Sequence, residues 1–258
     1  MILDFSLQMY SRLCDSLKRA SCPILTVKQF LEKNQPQEAS VILRHDVDRS
    51  MPSAIRMAQM EADHDISASY YVRMTREVFK PAHIKRLFQL NHEVGYHYEV
   101  LAKARGDMVQ AITTFEKSLA ELRRIVPIDT ISMHGSPLTP WNNLDLWKSY
   151  NYRDYDIKGE VSLTIDYSKL YYFTDTGRSW DADRYNIRDR VSSLKHGQKI
   201  HNSAELIEFL LQNKGTPVFI NTHPNRWAST SLEWCTSTLA DFFINQIKWI
   251  VSRVQQTS

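Results

Sequence analysis

The sequence has 258 residues, which suits one large domain, and α/β barrels often reach this length without splitting. Its formal net charge of +3, with acids and bases interspersed, lacks the clustered basic face of a nucleic-acid binder. No stretch approaches the roughly 20 apolar residues of a membrane span, and the three cysteines, Cys14, Cys22 and Cys235, form neither a metal-like cluster nor an even disulfide framework. We therefore expect a soluble cytoplasmic protein without a nucleic-acid partner, and leave its oligomeric state open.

The amino-terminal part of the chain is expected to be helical. Apolar spacing predicts helices over residues 5–20 and 26–34, ahead of the first core strand. That strand begins at Val41 and ends in a polar run that carries Asp46 and Asp48. Because Ser50 can cap a helix and Pro52 suits its first turn, the two acids are expected in a short loop between strand and helix.

Strands and helices then alternate to the end of the chain. Further strands are predicted at residues 67–72, 92–97, 130–133, 152–155, 170–174 and 218–221, and helices at 52–63, 81–91, 108–126, 144–150, 203–212 and 232–254. The sequence strand, polar turn, helix recurs about seven times, which predicts parallel strands joined by right-handed crossovers in a barrel or near-barrel.

Polar residues recur at one place in this pattern, directly after the apolar strands. They are Asp46, Asp48, His97, Glu99, His134, Asp175 and His223. The carboxyl ends of parallel strands in a barrel share one rim, so residues far apart in sequence are expected to face one pocket.

These residue types suit metal-dependent hydrolysis. One carboxylate and two imidazoles around a first-row divalent ion, with positions left for water, is a common hydrolytic arrangement, for which Asp48, His97 and His134 are the candidates. Asp46 is the candidate base that takes a proton from water, and His223 is the candidate acid that protonates the departing group.

Three runs of the sequence resemble a known family. R-H-D-V-D at 44–48, H-E-V-G-Y-H at 92–97 and V-F-I-N-T-H-P at 218–224 look like motifs of the NodB-homology polysaccharide deacetylases, carbohydrate esterase family 4, in the family's order. The likeness is greatest to deacetylases of O-antigen and other surface-polysaccharide biosynthesis. It implies a distorted (β/α)7 barrel, here a single domain 1–258 with a helical amino-terminal extension, 1–40, and a barrel, 41–258.

The resemblance also implies an activity. Such a protein removes an N-acyl group, here expected to be N-acetyl, from an amino sugar in a surface-polysaccharide precursor, using a divalent metal for which zinc is the first choice and other first-row metals are alternatives. Its partner is an amino-sugar-containing small molecule or glycan precursor. By the resemblance, Asp46 matches the base, Asp48 and His97 match metal ligands, and His223 matches the general acid.

The sequence departs from the family at two points. Leu101 stands four residues beyond His97, where the family has its second metal histidine; His134 is the expected replacement, with Glu99 in reserve. The arginine-bearing loop that helps to hold the base is not recognisable at 132–140. Arg44 or Arg178 is expected to supply that positive charge.

The remaining candidates concern the substrate. The predicted substrate-binding residues are Arg44, Glu99, Trp141, Asp175 and Trp227. The two tryptophans follow polar loops, so their rings suit stacking on a sugar face, with loop packing as the alternative. Asp175 is alternatively an ion-pair partner.

Two other functions stay open at this point. Leu101 motivates a non-catalytic descendant that binds sugar in the same pocket. A DxD pair after a strand also serves glycosyltransferases, where it holds a metal bound to a nucleotide diphosphate.

Overall fold

A parallel sheet of eight strands forms the centre of the protein. The computed structural model describes residues 2–20, 22–36, 38–137, 139–180, 200–213 and 215–242. The strands are β1 Ile24–Leu25, β2 Val41–Val47, β3 Ser69–Val72, β4 Glu93–Tyr98, β5 Thr130–Met133, β6 Gly159–Glu160, β7 Tyr171–Thr174 and β8 Val218–Thr222. Their order is β6-β5-β4-β3-β2-β8-β7, with β1 beside the first residues of β2. The sheet curls into a half-barrel, which confirms the predicted α/β class and distorted barrel.

Helices surround this sheet. They are α1 Leu7–Arg19, α2 Val27–Glu32, α3 Met51–Asp63, α4 Pro81–Gln89, α5 Val100–Lys103, α6 Met108–Arg123, α7 Val161–Thr164, α8 Ser203–Gln212 and α9 at 231–242. As predicted, Ser50 caps α3 by accepting a hydrogen bond from the Ser53 N–H. Residues 243–254 of the predicted last helix lie outside the described residues. In the part of the chain that is described, no helix has the length and apolarity that crossing a bilayer requires.

The predicted strand at 152–155 is wrong. Residues Tyr152–Tyr155 form a turn of 3₁₀ helix, because the Asn151 side chain accepts a hydrogen bond from the Arg153 N–H at 3.1 Å. Asp156 ends the turn in the left-handed region, at φ 56°. Local capping by a polar side chain therefore outweighs the strand preference of the two tyrosines.

Alternate residues of the strands form two separate cores. One side of the sheet packs against helices through residues that include Val41, Leu43, Val47, Tyr70, Val72 and Ile220. The other side lines the inside of the half-barrel with residues that include Ile42, Tyr71, Tyr172 and Phe219. The two-residue period of β2 puts Arg44 and Asp46 on the same side as Ile42, inside the half-barrel.

A buried polar network holds the helices to the outer face. The Glu61 carboxylate of α3 accepts hydrogen bonds from the hydroxyls of Tyr10 in α1 and Tyr70 in β3. Its Oε1 also lies 2.7 Å from His45 Nε2, and His45 Nδ1 lies 2.5 Å from Thr222 Oγ1. The network thus joins two helices to three strands.

We predict that Gly95→Ala destabilises the protein. A Cβ at Gly95 in β4 would lie 2.3 Å from Cε1 of Tyr71, whose buried hydroxyl is hydrogen-bonded to Thr130 Oγ1 at 2.8 Å. The ring is therefore not free to move, and overpacking of this kind costs about 1–3 kcal/mol. Urea unfolding measures the loss. Gly215→Ala is the control, because no atom lies within 4 Å of its Cβ; equal stability of the two variants would contradict this account.

Candidate active site at the carboxyl ends of the strands

Asp46 is a buried carboxylate held by a bidentate ion pair. Arg44 donates from Nε to Asp46 Oδ1 and from Nη2 to Oδ2, both at 2.8 Å, and also donates to Ser132 Oγ at 2.6 Å. Asn221 Nδ2 donates to Oδ2 at 3.1 Å. Burial raises the pKa of Asp46, but the Arg44 guanidinium and the nearby His97 outweigh burial and keep that pKa below its ordinary value. Asp46 is therefore ionised and fixed in orientation.

Asp48 lies at the meeting point of three imidazoles. Its Oδ1 is 3.4 Å from His97 Nε2 and 3.9 Å from His134 Nε2, and its Oδ2 is 4.0 Å from His223 Nε2. Although Oδ1 is buried, it has no hydrogen-bond partner among the described residues. Burial raises the pKa of Asp48, and the three histidines lower it to well below its ordinary value.

Two of these imidazoles are held so that Nε2 faces Asp48. His97 Nδ1 lies 3.0 Å from the Ser132 backbone oxygen, which only accepts, so Nδ1 carries the proton. His134 Nδ1 lies 3.1 Å from Ser136 Oγ and 3.2 Å from Glu99 Oε2. Hydrogen-bonding Nδ1 in this way is the usual means of directing a lone pair on Nε2 at a metal.

The spacing of His97 and Asp48 suits two ligands of a divalent ion. Ligand atoms about 2.0–2.2 Å from a tetrahedral zinc lie about 3.3 Å apart, and the 3.4 Å between His97 Nε2 and Asp48 Oδ1 agrees with that spacing. His134 Nε2, at 3.9 Å from Asp48 Oδ1, has to approach by roughly half an ångström to share the ion. As they are placed, no three His, Cys, Asp or Glu side chains among the described residues could hold a metal ion. The unpartnered Asp48 oxygen between two imidazoles is the observation that favours a cation here.

His223 is oriented by a second buried carboxylate, Asp175. Asp175 Oδ1 lies 2.6 Å from His223 Nδ1 and accepts from Arg226 Nη1 at 2.7 Å. Asp175 Oδ2 accepts from the His223 backbone N–H and from Trp227 Nε1. Burial raises the pKa of Asp175, but Arg226 and His223 outweigh it and hold that pKa at about 2. The ionised Asp175 therefore orients the His223 ring, with Nε2 towards Asp48.

Three predicted substrate-binding residues lie behind the site rather than on its surface. Trp227 is 1% exposed, with its ring against Phe5 and Tyr10, and Asp175 is completely buried. Arg44 is occupied by Asp46 and Ser132 as described above. None of the three presents a face to a sugar, because each is enclosed by the groups that it supports. Of the two arginines proposed to pair with the base, Arg44 does so.

Of the other two predicted substrate-binding residues, Trp141 is half-buried and Glu99 is buried. Trp141 packs over Gly106, where a Cβ would lie 2.3 Å from its Nε1, so the ring covers the turn between α5 and α6. Glu99 forms ion pairs with Arg73 at 2.6 Å and Lys103 at 2.8 Å. Glu99 is thus a charged neighbour of His134.

Leu101 does not face the site. It lies in α5, the short helix that follows β4, and is 1% exposed in the outer core. In the helical turn at 100–103, Leu101 therefore belongs to the apolar core.

Three supporting residues were not predicted from the sequence. They are Arg73, Ser132 and Asn221. Asn221 carried a usable signal, since it lies two residues before His223 and so on the same face as the end of β8. Arg73 follows β3 directly, at the same edge as the other site residues.

Comparison with known proteins finds similar solved structures. No protein-family model and no curated protein matches the chain. A CE4 esterase from Streptococcus mutans is similar over 92% of this chain and 90% of its own, at 14% identity and a TM-score of 0.42. A CE4 family pseudoenzyme from Bacillus anthracis is similar over 82% of this chain and 62% of its own, at 15% identity and a TM-score of 0.43.

A third similar structure is a polysaccharide deacetylase from Bacillus cereus. It covers 81% of this chain and 89% of its own, at 14% identity and a TM-score of 0.44. The three structures come from the family that the sequence motifs resemble. At this identity, the chemistry of the present chain has to be argued from its own side chains.

We predict that Arg44→Met costs about 3–5 kcal/mol, because it leaves Asp46 buried without its counter-charge. The folded pKa of Asp46 lies below the ordinary value of 3.8, so the ion pair stabilises the fold above about that pH and loses its effect as the pH falls through the folded pKa. The stability difference between the variant and the parent, measured by urea unfolding, should therefore narrow in acid.

Lys28→Met is the matched control for this change. The ion pair between Lys28 and Asp129 is equally short, at 2.7 Å, but its side chains are 35% and 26% exposed. Solvent screening limits the loss there to about 1 kcal/mol or less. Similar losses in the two variants would refute a special role for the buried pair.

Proposed function

We propose that this protein is a metal-dependent carbohydrate deacetylase, a hydrolase that removes an N-acyl group, most simply N-acetyl, from an amino sugar. The proposed setting is the biosynthesis of a surface polysaccharide such as O-antigen, with a nucleotide- or lipid-linked sugar as substrate. Zinc is the proposed metal, held by Asp48, His97 and His134. The proposal rests chiefly on the unpartnered Asp48 oxygen, between two imidazoles whose Nδ1 atoms are already engaged.

A divalent ion bound there would supply a Lewis acid that polarises the acyl carbonyl and makes water more acidic. Asp46 is the base that accepts a proton from the attacking water, and the Arg44 fork keeps it ionised for that purpose. His223 donates a proton from Nε2 to the nitrogen of the departing amine, while Asp175 stabilises the charged imidazole. The products are a free amino sugar and a carboxylate.

The environment of Asp46 favours a hydrolase over a DxD glycosyltransferase. Both of its carboxylate oxygens accept hydrogen bonds from Arg44, and Oδ2 accepts another from Asn221. A DxD site needs oxygens from this pair to bind a metal. A base, by contrast, needs one held carboxylate near the ion.

A non-catalytic sugar-binding protein is the second candidate, and Leu101 is the observation that favours it. If His134 does not replace the missing histidine, the site has two strong ligands and a weak hold on the metal. A purified pseudoenzyme would contain no stoichiometric divalent ion, and a chelator would leave its sugar binding unchanged.

We predict that Asp46→Asn and Asp48→Ala separate turnover from metal binding. Asp46→Asn should retain the metal and lose about 10²–10⁴-fold in turnover, because only the proton acceptor is removed. Asp48→Ala should lose both. Zinc content by elemental analysis, together with acetate release from N-acetylated amino sugars in oligomeric and nucleotide-linked form, measures the two effects.

Two controls make the experiment decisive. Asp129→Asn changes a partly buried carboxylate at the other end of β5 and should alter neither zinc content nor turnover. Urea unfolding shows that each variant is folded. Parental metal content and full activity in both site variants would rule out the mechanism.

A further inference from the structure

His134, the proposed metal ligand, lies in the loop after β5, and its side chain needs neighbours that hold it in place. We propose that Arg73 and Glu99 form a positioning pair that orients His134 as the substitute metal ligand. This inference rests on the proposed function, since it assigns a role to residues around the same ion. Neither Arg73 nor Glu99 is proposed to touch the metal.

Arg73 connects the two sides of the site through one guanidinium. Its Nη1 donates to the backbone oxygen of Asp48 at 3.2 Å, and its Nη2 donates to Glu99 Oε2 at 2.6 Å. The planar fork of arginine presents these two donors in a fixed relation. The position of Glu99 is thereby set relative to the loop that carries Asp48.

Glu99 in turn contacts the imidazole of His134. Its Oε2, the oxygen bound by Arg73, lies 3.2 Å from His134 Nδ1, and its Oε1 lies 2.8 Å from Lys103 Nζ. Arg73 and Lys103 hold the Glu99 carboxylate from two sides, so that Oε2 faces His134 Nδ1. His134 Nδ1 also lies 3.1 Å from Ser136 Oγ.

The geometry distinguishes this role from direct ligation by Glu99. Glu99 lies on the Nδ1 side of the His134 ring, whereas Asp48 Oδ1 lies 3.9 Å away on the Nε2 side. The two ring nitrogens point in divergent directions, so a carboxylate on Nδ1 is outside the site that Nε2 faces. A carboxylate at Nδ1 fixes the tautomer and makes Nε2 a better donor to a metal.

The backbone at His134 is already fixed, which leaves the ring as the variable element. The His134 N–H donates to the Tyr98 oxygen at 2.7 Å, and its carbonyl accepts from Asn143 Nδ2 at 2.7 Å. Two residues later, Ser136 has φ 42°, in the left-handed region, so the chain turns sharply away from β5. Sites carried on loops need such support from side chains to hold a ligand precisely.

The test is a double-mutant cycle read as zinc affinity. Zinc dissociation constants are measured by competition with a chromophoric chelator for the parent, Glu99→Gln, Arg73→Met, His134→Asn and the combined Glu99→Gln/His134→Asn. We expect Glu99→Gln and Arg73→Met each to weaken zinc binding by about 10–100-fold. In the His134→Asn background, Glu99→Gln should add less than about a twofold change, because Glu99 acts only through His134.

Asp129→Asn again serves as the control. It removes a carboxylate that also pairs with a lysine, 2.7 Å from Lys28, but at the amino end of the strand whose carboxyl end leads to His134. Its zinc affinity should equal that of the parent. Far-ultraviolet circular dichroism verifies that every variant is folded before titration.

The outcomes separate this inference from the proposed function. Parental zinc affinity in both Glu99→Gln and Arg73→Met overturns the inference and leaves the proposed function standing. The inference is also overturned if Glu99→Gln weakens zinc binding as much in the His134→Asn background as in the parent. Glu99 would then bind the ion itself. Failure of the parent protein to bind zinc overturns the proposed function.

Discussion

The bidentate ion pair between Arg44 and Asp46 is the interaction on which the rest of the site depends. A carboxylate inside a barrel is tolerated only with a well-aligned counter-charge, since desolvation of a lone ion costs several kcal/mol. The two residues lie two apart on β2, so the pleat directs both side chains into the half-barrel. Asp46 and its counter-charge thus come from one strand, and they do not depend on the position of any loop.

Much of the fold followed from the sequence because the strands are short apolar runs bounded by polar turns. Thr130–Met133 and Ser203–Gln212 have the predicted bounds. The failures are the elements that depend on few residues. Gly159–Glu160 is a strand of only two residues, which is too short to show an alternating apolar pattern. Tyr152–Tyr155 is a 3₁₀ turn rather than the predicted strand, because the hydrogen bonds of the Asn151 cap decide its conformation.

The convergence of the site residues could be predicted, but their supports could not. Asp48 and His134 directly follow β2 and β5, as expected, whereas Asp46 and His97 lie in the last residues of β2 and β4 rather than in the loops after them. That all four meet at the carboxyl ends of the strands is a topological property that a sequence reveals. The sequence does not reveal which arginine pairs with Asp46. Arg178 has the same chemistry as Arg44 but pairs with Asp241 at 2.8 Å. Tertiary packing decides which arginine pairs with Asp46 and in which direction each side chain points. No local pattern in a single sequence records that packing.

The Glu61 network has a consequence for where the protein can be cut. Tyr10 of α1 donates a hydrogen bond to the Glu61 carboxylate, which also contacts His45. Helix α1 is thereby linked to the residue that precedes Asp46. A fragment that starts at Val41 would lose a donor to a fully buried charge and uncover an apolar surface that Leu13 and Leu17 now cover. Helix α1 therefore precedes the barrel in sequence but shares its buried core and its buried hydrogen bonds.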